Sequence, residues 1–323
     1  MILGFHTKQL RERGTEVAIF DYALGAQTVL GHESRIFVPA ASHRIVESVK
    51  DHFSRAFEVV LYDDPDSISC DALYVIKKGT YSRVTTALPE LNHAFSDGSR
   101  PHGHRFAVVS EWLARTSSRR LGLPGGRTMP LPRLSRPPAV PHVVALPETD
   151  EDLRAELGIP EEAVVFGRHG GDATFDLEFV HSAIRRALEV RSDVWFLFLN
   201  TDRFLEHQRI VHLRAFTDRA DVRRFVNSCD YMLHANAVGE SFGLAVAEFA
   251  SVGVPVLTFL GSPQLAHLDL LTDGLLIGYA GFEDVFDELT ILERRDARVP
   301  SSVAEDYSFE RVMARFDGVF LRS

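Results

Sequence analysis

The most specific chemistry in the chain lies at residues 239–256: Gly239-Glu240-Ser241-Phe242-Gly243-Leu244-Ala245-Val246-Ala247-Glu248-Phe249-Ala250-Ser251-Val252-Gly253-Val254-Pro255-Val256. A strand ending near His234 and a turn of small residues lead into a helix that begins near Phe242. The first N–H groups of a helix have no carbonyl one turn back, and the helix dipole is positive there. That start therefore suits an anion such as phosphate. Gly243 lets the backbone come close to it. Glu240 precedes the turn and Glu248 lies inside the helix. If all residues between them are helical, the rise is about 12 Å, the reach from a sugar to a ribose across a diphosphate. Glu248 can then accept from two neighbouring ribose hydroxyls, and Glu240 can hold hydroxyls of a transferred group.

The elements that must position these groups alternate strand and helix. Before the middle of the chain, strands are expected over 2–6, 34–38, 58–62, 72–76 and 106–109. A helix opening at Gly14-Thr15-Glu16 places Val17, Phe20 and Leu24 on one side, and Ser110 is an N-cap before Trp112 and Leu113. After it, a helix over 150–157 ends at Gly158, and a strand covers 163–167. A helical stripe follows through Phe179, Val180, Ala183, Ile184, Ala187 and Leu188, then a buried strand over 194–199. Val222, Phe225 and Val226 mark a further helix, followed by strands over 231–234 and 254–259 around the helix at 244–250. Strand–helix alternation in both halves means two α/β domains with mainly parallel sheets, which bind ligands at the C-terminal strand ends. Between the halves, residues 112–147 carry no Asp or Glu but six arginines, Arg115, Arg119, Arg120, Arg127, Arg133 and Arg136. Seven of the 15 prolines fall between Pro124 and Pro147. Proline blocks helix interiors and stiffens extended chain, so 124–147 reads as the linker between domains.

These residues carry a resemblance. The segment resembles the donor-site signature of retaining glycosyltransferases of family 4 type, which have the GT-B fold. That signature has two glutamates with seven residues between, a Gly-Phe-Gly-like turn and a later Gly-x-Pro-Val. Here they are Glu240 and Glu248, Ser241-Phe242-Gly243, and Gly253-Val254-Pro255-Val256, with Ser241 where glycine is usual. Val164-Val165-Phe166-Gly167-Arg168 is similar to the family's strand ending in Gly-Arg, so the resemblance assigns Arg168 to the donor diphosphate. The lysine usual several residues on is replaced by Asp172-Ala173-Thr174-Phe175. An arginine of the basic stretch or backbone N–H groups would take its place, with His169-Gly170-Gly171 adding close backbone contacts and a donor. Arg13-Gly14-Thr15-Glu16 resembles the family's Gly-Gly-x-Glu loop, which implies that Gly14 and Thr15 line the cleft at the leaving phosphate. His93 sits where the family often has a strand ending in His, and Ala107-Val108-Val109-Ser110-Glu111-Trp112-Leu113 supports that register. The resemblance makes His93 a cleft histidine bonded to the donor sugar.

Composition bounds the alternatives. The chain has 323 residues, 45% hydrophobic and 25% charged, which suits two globular domains. Lys plus Arg is 35 against 45 Asp plus Glu, a net charge of −10, which argues against general nucleic-acid binding. The longest apolar run is six residues, 194–199, far short of a membrane span. The first residues show no basic-then-apolar secretory pattern. Cys70 and Cys229 alone make neither a disulfide framework nor a four-thiolate zinc site, so a reducing cytoplasm is the expected home, with peripheral membrane contact left open. His102-Gly103-His104 has no spaced third ligand. No Gly-x-Gly-x-x-Gly or Gly-x-x-x-x-Gly-Lys-Ser/Thr occurs, which weakens dehydrogenase and ATPase readings.

The sequence thus points to two Rossmann-like domains facing across a cleft. An acceptor-side domain over 1–140 is expected, with a nucleotide-sugar domain over 141–305 and a closing helix over 306–323 that crosses back to the first. The expected activity is a retaining, metal-independent glycosyltransferase, with no cofactor beyond the nucleotide-sugar donor. Its acceptor is a hydroxyl of a glycan, lipid, small molecule or protein. Glu240 and His93 are the expected catalytic residues. Arg168, Gly14, Ser241, Phe242, Gly243 and Leu244 meet the diphosphate, and Glu248 meets the ribose. Thr15, His169 and Gly170 are further candidates. The alternative is a non-catalytic nucleotide-sugar-binding or partner subunit of the same fold.

Overall fold

A computed structural model describes residues 1–117, 120–122, 128–130 and 136–322. It divides into two compact units, Met1–Val143 with Asp306–Ser323, and Val144–Glu305.

The first unit runs β1 (Ile2–His6), α1 (Gly14–Thr28), β2 (Glu33–Pro39), α2 (Glu47–Ala56), β3 (Glu58–Tyr62), β4 (Ala72–Lys77), β5 (Glu90–Ala94), β6 (Arg105–Val108) and α3 (Glu111–Thr116). All six strands are parallel, in the order β3-β2-β1-β4-β5-β6. The chain therefore reverses direction across the sheet between β1 and β4, the place where such sheets open a crevice. Ser110 caps α3 as expected, its Oγ accepting from the Leu113 N–H at 3.1 Å. In α1 the expected stripe of Val17, Phe20 and Leu24 is only half-buried, while Ala18, Ile19, Tyr22, Ala23 and Ala26 are buried. The reason is a second cover. Gly25 has no Cβ, and one built there would lie 2.6 Å from Met313 Cγ of the closing helix.

The expected linker is partly built structure. Its β8 (Thr128–Pro130) pairs antiparallel with β7 (Arg120–Gly122), which lies just before it. Beyond it, the Val140 N–H donates to the Val108 carbonyl, and the Tyr22 hydroxyl donates to the Pro141 carbonyl at 2.7 Å. Residues 139–143 thus pack with the first unit. Arg119, Arg127 and Arg133 lie outside the described residues, as does the side chain of Arg120.

The second unit runs β9 (Val164–His169), α4 (Glu178–Val190), β10 (Val194–Leu199), β11 (Ile210–Leu213), α5 (Arg219–Asn227), β12 (Tyr231–His234), β13 (Gly239–Glu240), α6 (Leu244–Ser251), β14 (Val256–Phe259), β15 (Gln264–Leu265), β16 (Leu276–Tyr279) and α7 (Phe282–Ile291). Its main sheet is parallel, in the order β11-β10-β9-β12-β14-β16, which repeats the topology of the first unit. Phe166, Phe196 and Tyr231 stack within the sheet, and Val180, Ala183, Ile184, Ala187 and Leu188 of α4 cover it. The helix expected over 150–157 is only a turn. Leu153 is the sole buried residue of that stretch, so no apolar face holds a helix there. Gly158 still takes the left-handed φ of +67°. The chain ends with α8 (Val303–Asp306) and α9 (Phe309–Phe316). Val312, Met313, Phe316 and Phe320 are buried, and the Phe316 ring lies 5.5 Å from Tyr22 and 5.3 Å from Tyr74.

Candidate functional site

In the second unit the sheet reverses direction between β9 and β12. Arg168 and His169 end β9, His234 ends β12, and Glu240 and α6 follow it. The turn is built by Asn236. Its Oδ1 accepts from the N–H groups of Val238 and Gly239, and its Nδ2 donates to the Gly239 carbonyl and to Glu240 Oε1, each at 3.1 Å. Two glycines then let the chain fold tightly. Gly239 has φ +76° and sits against β15, where a Cβ would meet the Gln264 carbonyl oxygen at 1.9 Å. Gly243 has φ +93°, with His267 Cβ 2.8 Å and Glu240 Cβ 3.3 Å from where its own Cβ would stand.

Helix α6 begins at Leu244, with Gly243 as N-cap, no side-chain cap and no acidic residue in its first turn. Its first internal bond comes from the Ala247 N–H to the Gly243 carbonyl. Because the helix starts at Leu244 and not before, its rise to Glu248 is about 6 Å, half the fully helical expectation. Ser241 and Phe242 form the approach, and Phe242 is buried.

Glu240 keeps a third of its side chain exposed. Burial alone would raise its pKa, but His234, the bond from Asn236 and the charge of His267 outweigh that and hold it below the ordinary carboxylate range. Behind it, His234 Nε2 faces Oε1 at 3.5 Å, and His234 Nδ1 lies 2.8 Å from Thr258 Oγ1. Thr258 Oγ1 is in turn 2.9 Å from His267 Nε2. Burial, and then the charge of His234, lower the His267 pKa to about 3.

Glu248 departs from the expectation of a carboxylate open to a ribose. It is 1% exposed, with Arg219 Nη2 at 2.6 Å from Oε1 and His169 Nε2 at 2.7 Å from Oε2. Burial would raise its pKa, but the two partners, Arg219 foremost, bring it down to about 2. The His169 ring stacks on Phe249 one residue further along α6. Both carboxylate oxygens are therefore already taken by the chain's own groups.

Arg168 also departs from its assigned role. It is buried, its Nη1 donating to the Asn200 carbonyl and Thr201 Oγ1, its Nη2 to the Gly171 carbonyl and Thr174 Oγ1. Burial lowers its pKa to about 10. It ties the loop after β9 to the loop after β10. Gly170 joins the same knot, its carbonyl accepting from Asn200 Nδ2. A guanidinium with both terminal nitrogens spent in this way is a brace for the loop, not a free grip on a diphosphate.

In the first unit, Gly14 opens α1 with open space around it, and Thr15 Oγ1 donates to Glu16 Oε2 at 2.8 Å. Glu16 is buried and also accepts from Thr7 and Gln9. Burial outweighs those bonds and raises its pKa. The chain's own carboxylate thus occupies the helix start, which leaves Gly14 and Thr15 poorly suited to a second anion. His93 does not have the open position expected of a cleft histidine. It is 0% exposed on β5, with Nδ1 2.6 Å from the Tyr74 hydroxyl and its ring among Tyr22, His142 and Phe320. Burial lowers its pKa to about 4.

His102 is likewise structural, its ring between Tyr81 and Phe106 with Nδ1 donating to the Arg100 carbonyl. Two Asp-x-Asp triplets serve local turns. Asp64 accepts from the Asp66 N–H, and Asp152 from the Arg154 N–H. Among the described residues no helix is long and apolar enough to cross a membrane. Arg219, His234, Asn236, Thr258 and His267 belong to no motif visible in the sequence. The legible signal was position, because His234 ends β12 and Asn236 follows it at the reversal of the sheet.

No protein-family model and no curated protein sequence matches this chain. Solved structures do. HepE (Alr3699) of Anabaena, in complex with UDP-glucose, is 12% identical with a TM-score of 0.64, over 99% of this chain and 95% of its own. A glycosyltransferase from Rickettsia africae is 10% identical with a TM-score of 0.56, over 99% and 94%. A putative UDP-N-acetylglucosamine 2-epimerase from Listeria monocytogenes is 12% identical with a TM-score of 0.52, over 99% and 92%. At such identities the likeness shows the fold, two Rossmann-like units of the GT-B type.

Proposed function

We propose that this chain is a glycosyltransferase that takes a nucleotide sugar as donor and passes the sugar to a hydroxyl acceptor. The observation that carries the reading is the second unit's turn at the reversal of its sheet. There Glu240 stands beside an uncapped helix start, with the Glu248–Arg219–His169 cluster four residues into the helix. The N–H groups of residues 244–246 meet the diphosphate. Glu240 accepts from hydroxyls of the transferred sugar, and the ribose lies against the Glu248 cluster. The leaving group is stabilised by N–H groups and the helix dipole, which supports a metal-independent transfer. Retention of anomeric configuration follows from the resemblance of the two-glutamate segment to family 4. The HepE complexes with UDP and UDP-glucose support a uridine nucleotide as the first donor to try.

A second reading, a nucleotide-sugar-binding subunit without transfer, is favoured by one observation. All four lysines, Lys8, Lys50, Lys77 and Lys78, lie in the first unit, and Arg168 is spent on loops. The two readings separate in one assay. With UDP-glucose, wild-type chain is expected to release UDP, whether by transfer or slow hydrolysis. Glu240→Gln, which keeps the shape and loses the charge, is expected to lower that rate by about 10²-fold while far-UV dichroism stays unchanged. Binding without any release of UDP would select the subunit reading. Equal rates for both proteins would remove Glu240 from the site.

A further inference from the structure

The proposed site does not end at Glu240. Behind it a buried line of side chains crosses three elements: His234 at the end of β12, Thr258 in β14, and His267 in the short 3-10 turn Ala266–Leu270. Its placement is fixed by backbone pairing. His234 and Thr258 are direct partners across the parallel β12–β14 ladder, so their side chains share a face. The β13–β15 ladder pairs Glu240 with Leu265, which brings His267 to the turn. The His234 and His267 rings are 4.7 Å apart, and all three line members are buried.

With His234 neutral, the line has one polarity. An ionised carboxylate only accepts, so His234 must present Nε2–H to Glu240. In neutral imidazole Nδ1 is then a lone pair, and it accepts from the Thr258 hydroxyl. Thr258 Oγ1 in turn accepts from His267 Nε2–H. The last atom, His267 Nδ1, is left as a bare acceptor, and it has no partner among the described residues. The reverse polarity fails twice. It would aim a lone pair of His234 at the carboxylate and leave His267 Nδ1–H buried with no acceptor, and orphaned N–H groups are the costlier kind. Asn236 and Arg168 are the other polar or charged groups acting on Glu240, and neither can fix the His234 tautomer.

We propose that His267 is a positioning residue for Glu240, setting through Thr258 which N–H His234 offers to the carboxylate and so holding Glu240 in the orientation that meets the donor sugar. This rests on the reading of Glu240 as the sugar-binding carboxylate. Line members act on the sugar end of the donor and leave the nucleotide end alone.

The test combines a spectrum with two ligands. In full-length chain labelled with ¹⁵N-histidine, long-range imidazole spectra at pH 7.5 are expected to show His234 and His267 as Nε2–H tautomers, with His267→Gln assigning the second. Thr258→Val keeps the shape of Thr258 and cuts the line. It is expected to release His234 into a tautomer mixture, weaken UDP-glucose binding about fivefold and leave UDP binding within about twofold, one hydrogen bond's worth of energy. Thr258→Ser is expected to restore both readouts. An Nδ1–H tautomer at His234 in the wild-type chain would overturn the proposal, as would a Thr258→Val protein with an unchanged His234 spectrum. If wild-type chain binds neither UDP nor UDP-glucose, the donor reading fails, while the spectra still decide whether the line exists.

Discussion

At the scale of single residues, the two glutamates that define the site do different work. Glu240 is the accessible carboxylate, held ionised by its neighbours. Glu248 is a buried anion held by Arg219 and His169. That difference has a measurable sign. The folded-state pKa of Glu248, about 2, lies below the ordinary 4.5, so its stabilisation is fully present above pH 4.5 and is lost as pH falls through about 2. That lowering is worth on the order of 3 kcal/mol. Urea unfolding of Glu248→Gln is expected to show a loss of about that size at pH 7, with the gap to wild type shrinking as the pH is lowered from 4.5. A gap independent of pH would mean that the charge of Glu248 is not what holds Arg219 and His169. The same scale shows what residue type alone cannot reveal. Arg168 and His93 were legible as candidate chemistry, but an arginine that braces loops and one that grips a phosphate have the same letter. Only the acceptors around Arg168, at Asn200, Thr201, Gly171 and Thr174, separate the two roles.

At the scale of elements, the turn between β12 and α6 carries the proposed donor site, and its glycines are the weak points. Gly243→Ala places a Cβ at φ +93° against His267 and Glu240. It is expected to lower stability by about 1–3 kcal/mol, with a loss of UDP-glucose binding beyond what unfolding accounts for. Chemical denaturation and calorimetry on one preparation would check both. Unimpaired binding in that variant would detach the turn from the donor site. Most strands were legible in the sequence, because buried parallel strands such as 194–199 and 231–234 read as short apolar runs between charged helices. The turn-forming stretch 150–157 was not, because its acidic and apolar residues mimic a helix that has nothing to pack on. The stripe of α1 was misjudged for the opposite reason. A helix covered on two faces loses its amphipathic signature, and the cover comes from residues 309–320, far away in sequence. His234, Thr258 and His267 were hidden for the same cause, since a ladder between β12 and β14 and a second between β13 and β15 bring them together.

At the scale of the whole molecule, two sheets of identical topology come from one chain, and the closing helical segment packs with the first unit. Removing residues 306–323 would uncover Tyr22 and Tyr74 and delete four buried apolar side chains, Val312, Met313, Phe316 and Phe320. At about 2 kcal/mol each that is roughly 8 kcal/mol, comparable with the whole stability of a domain. The truncated chain is expected to lose the thermal transition of the first unit and keep that of the second, read by scanning calorimetry. In the second unit, the proposed donor site sets a helix start beside Glu240 to take the diphosphate of a nucleotide sugar. The most direct measurement is thermal stabilisation of the intact chain by UDP, GDP, ADP, CMP and dTDP and their common sugars, with and without EDTA. A ligand of the folded state must raise the melting temperature by mass action. The account predicts a rise with one nucleotide family, UDP first, that is larger with the attached sugar and unchanged by EDTA. No rise with any of them, in a sample that melts cooperatively, would contradict it.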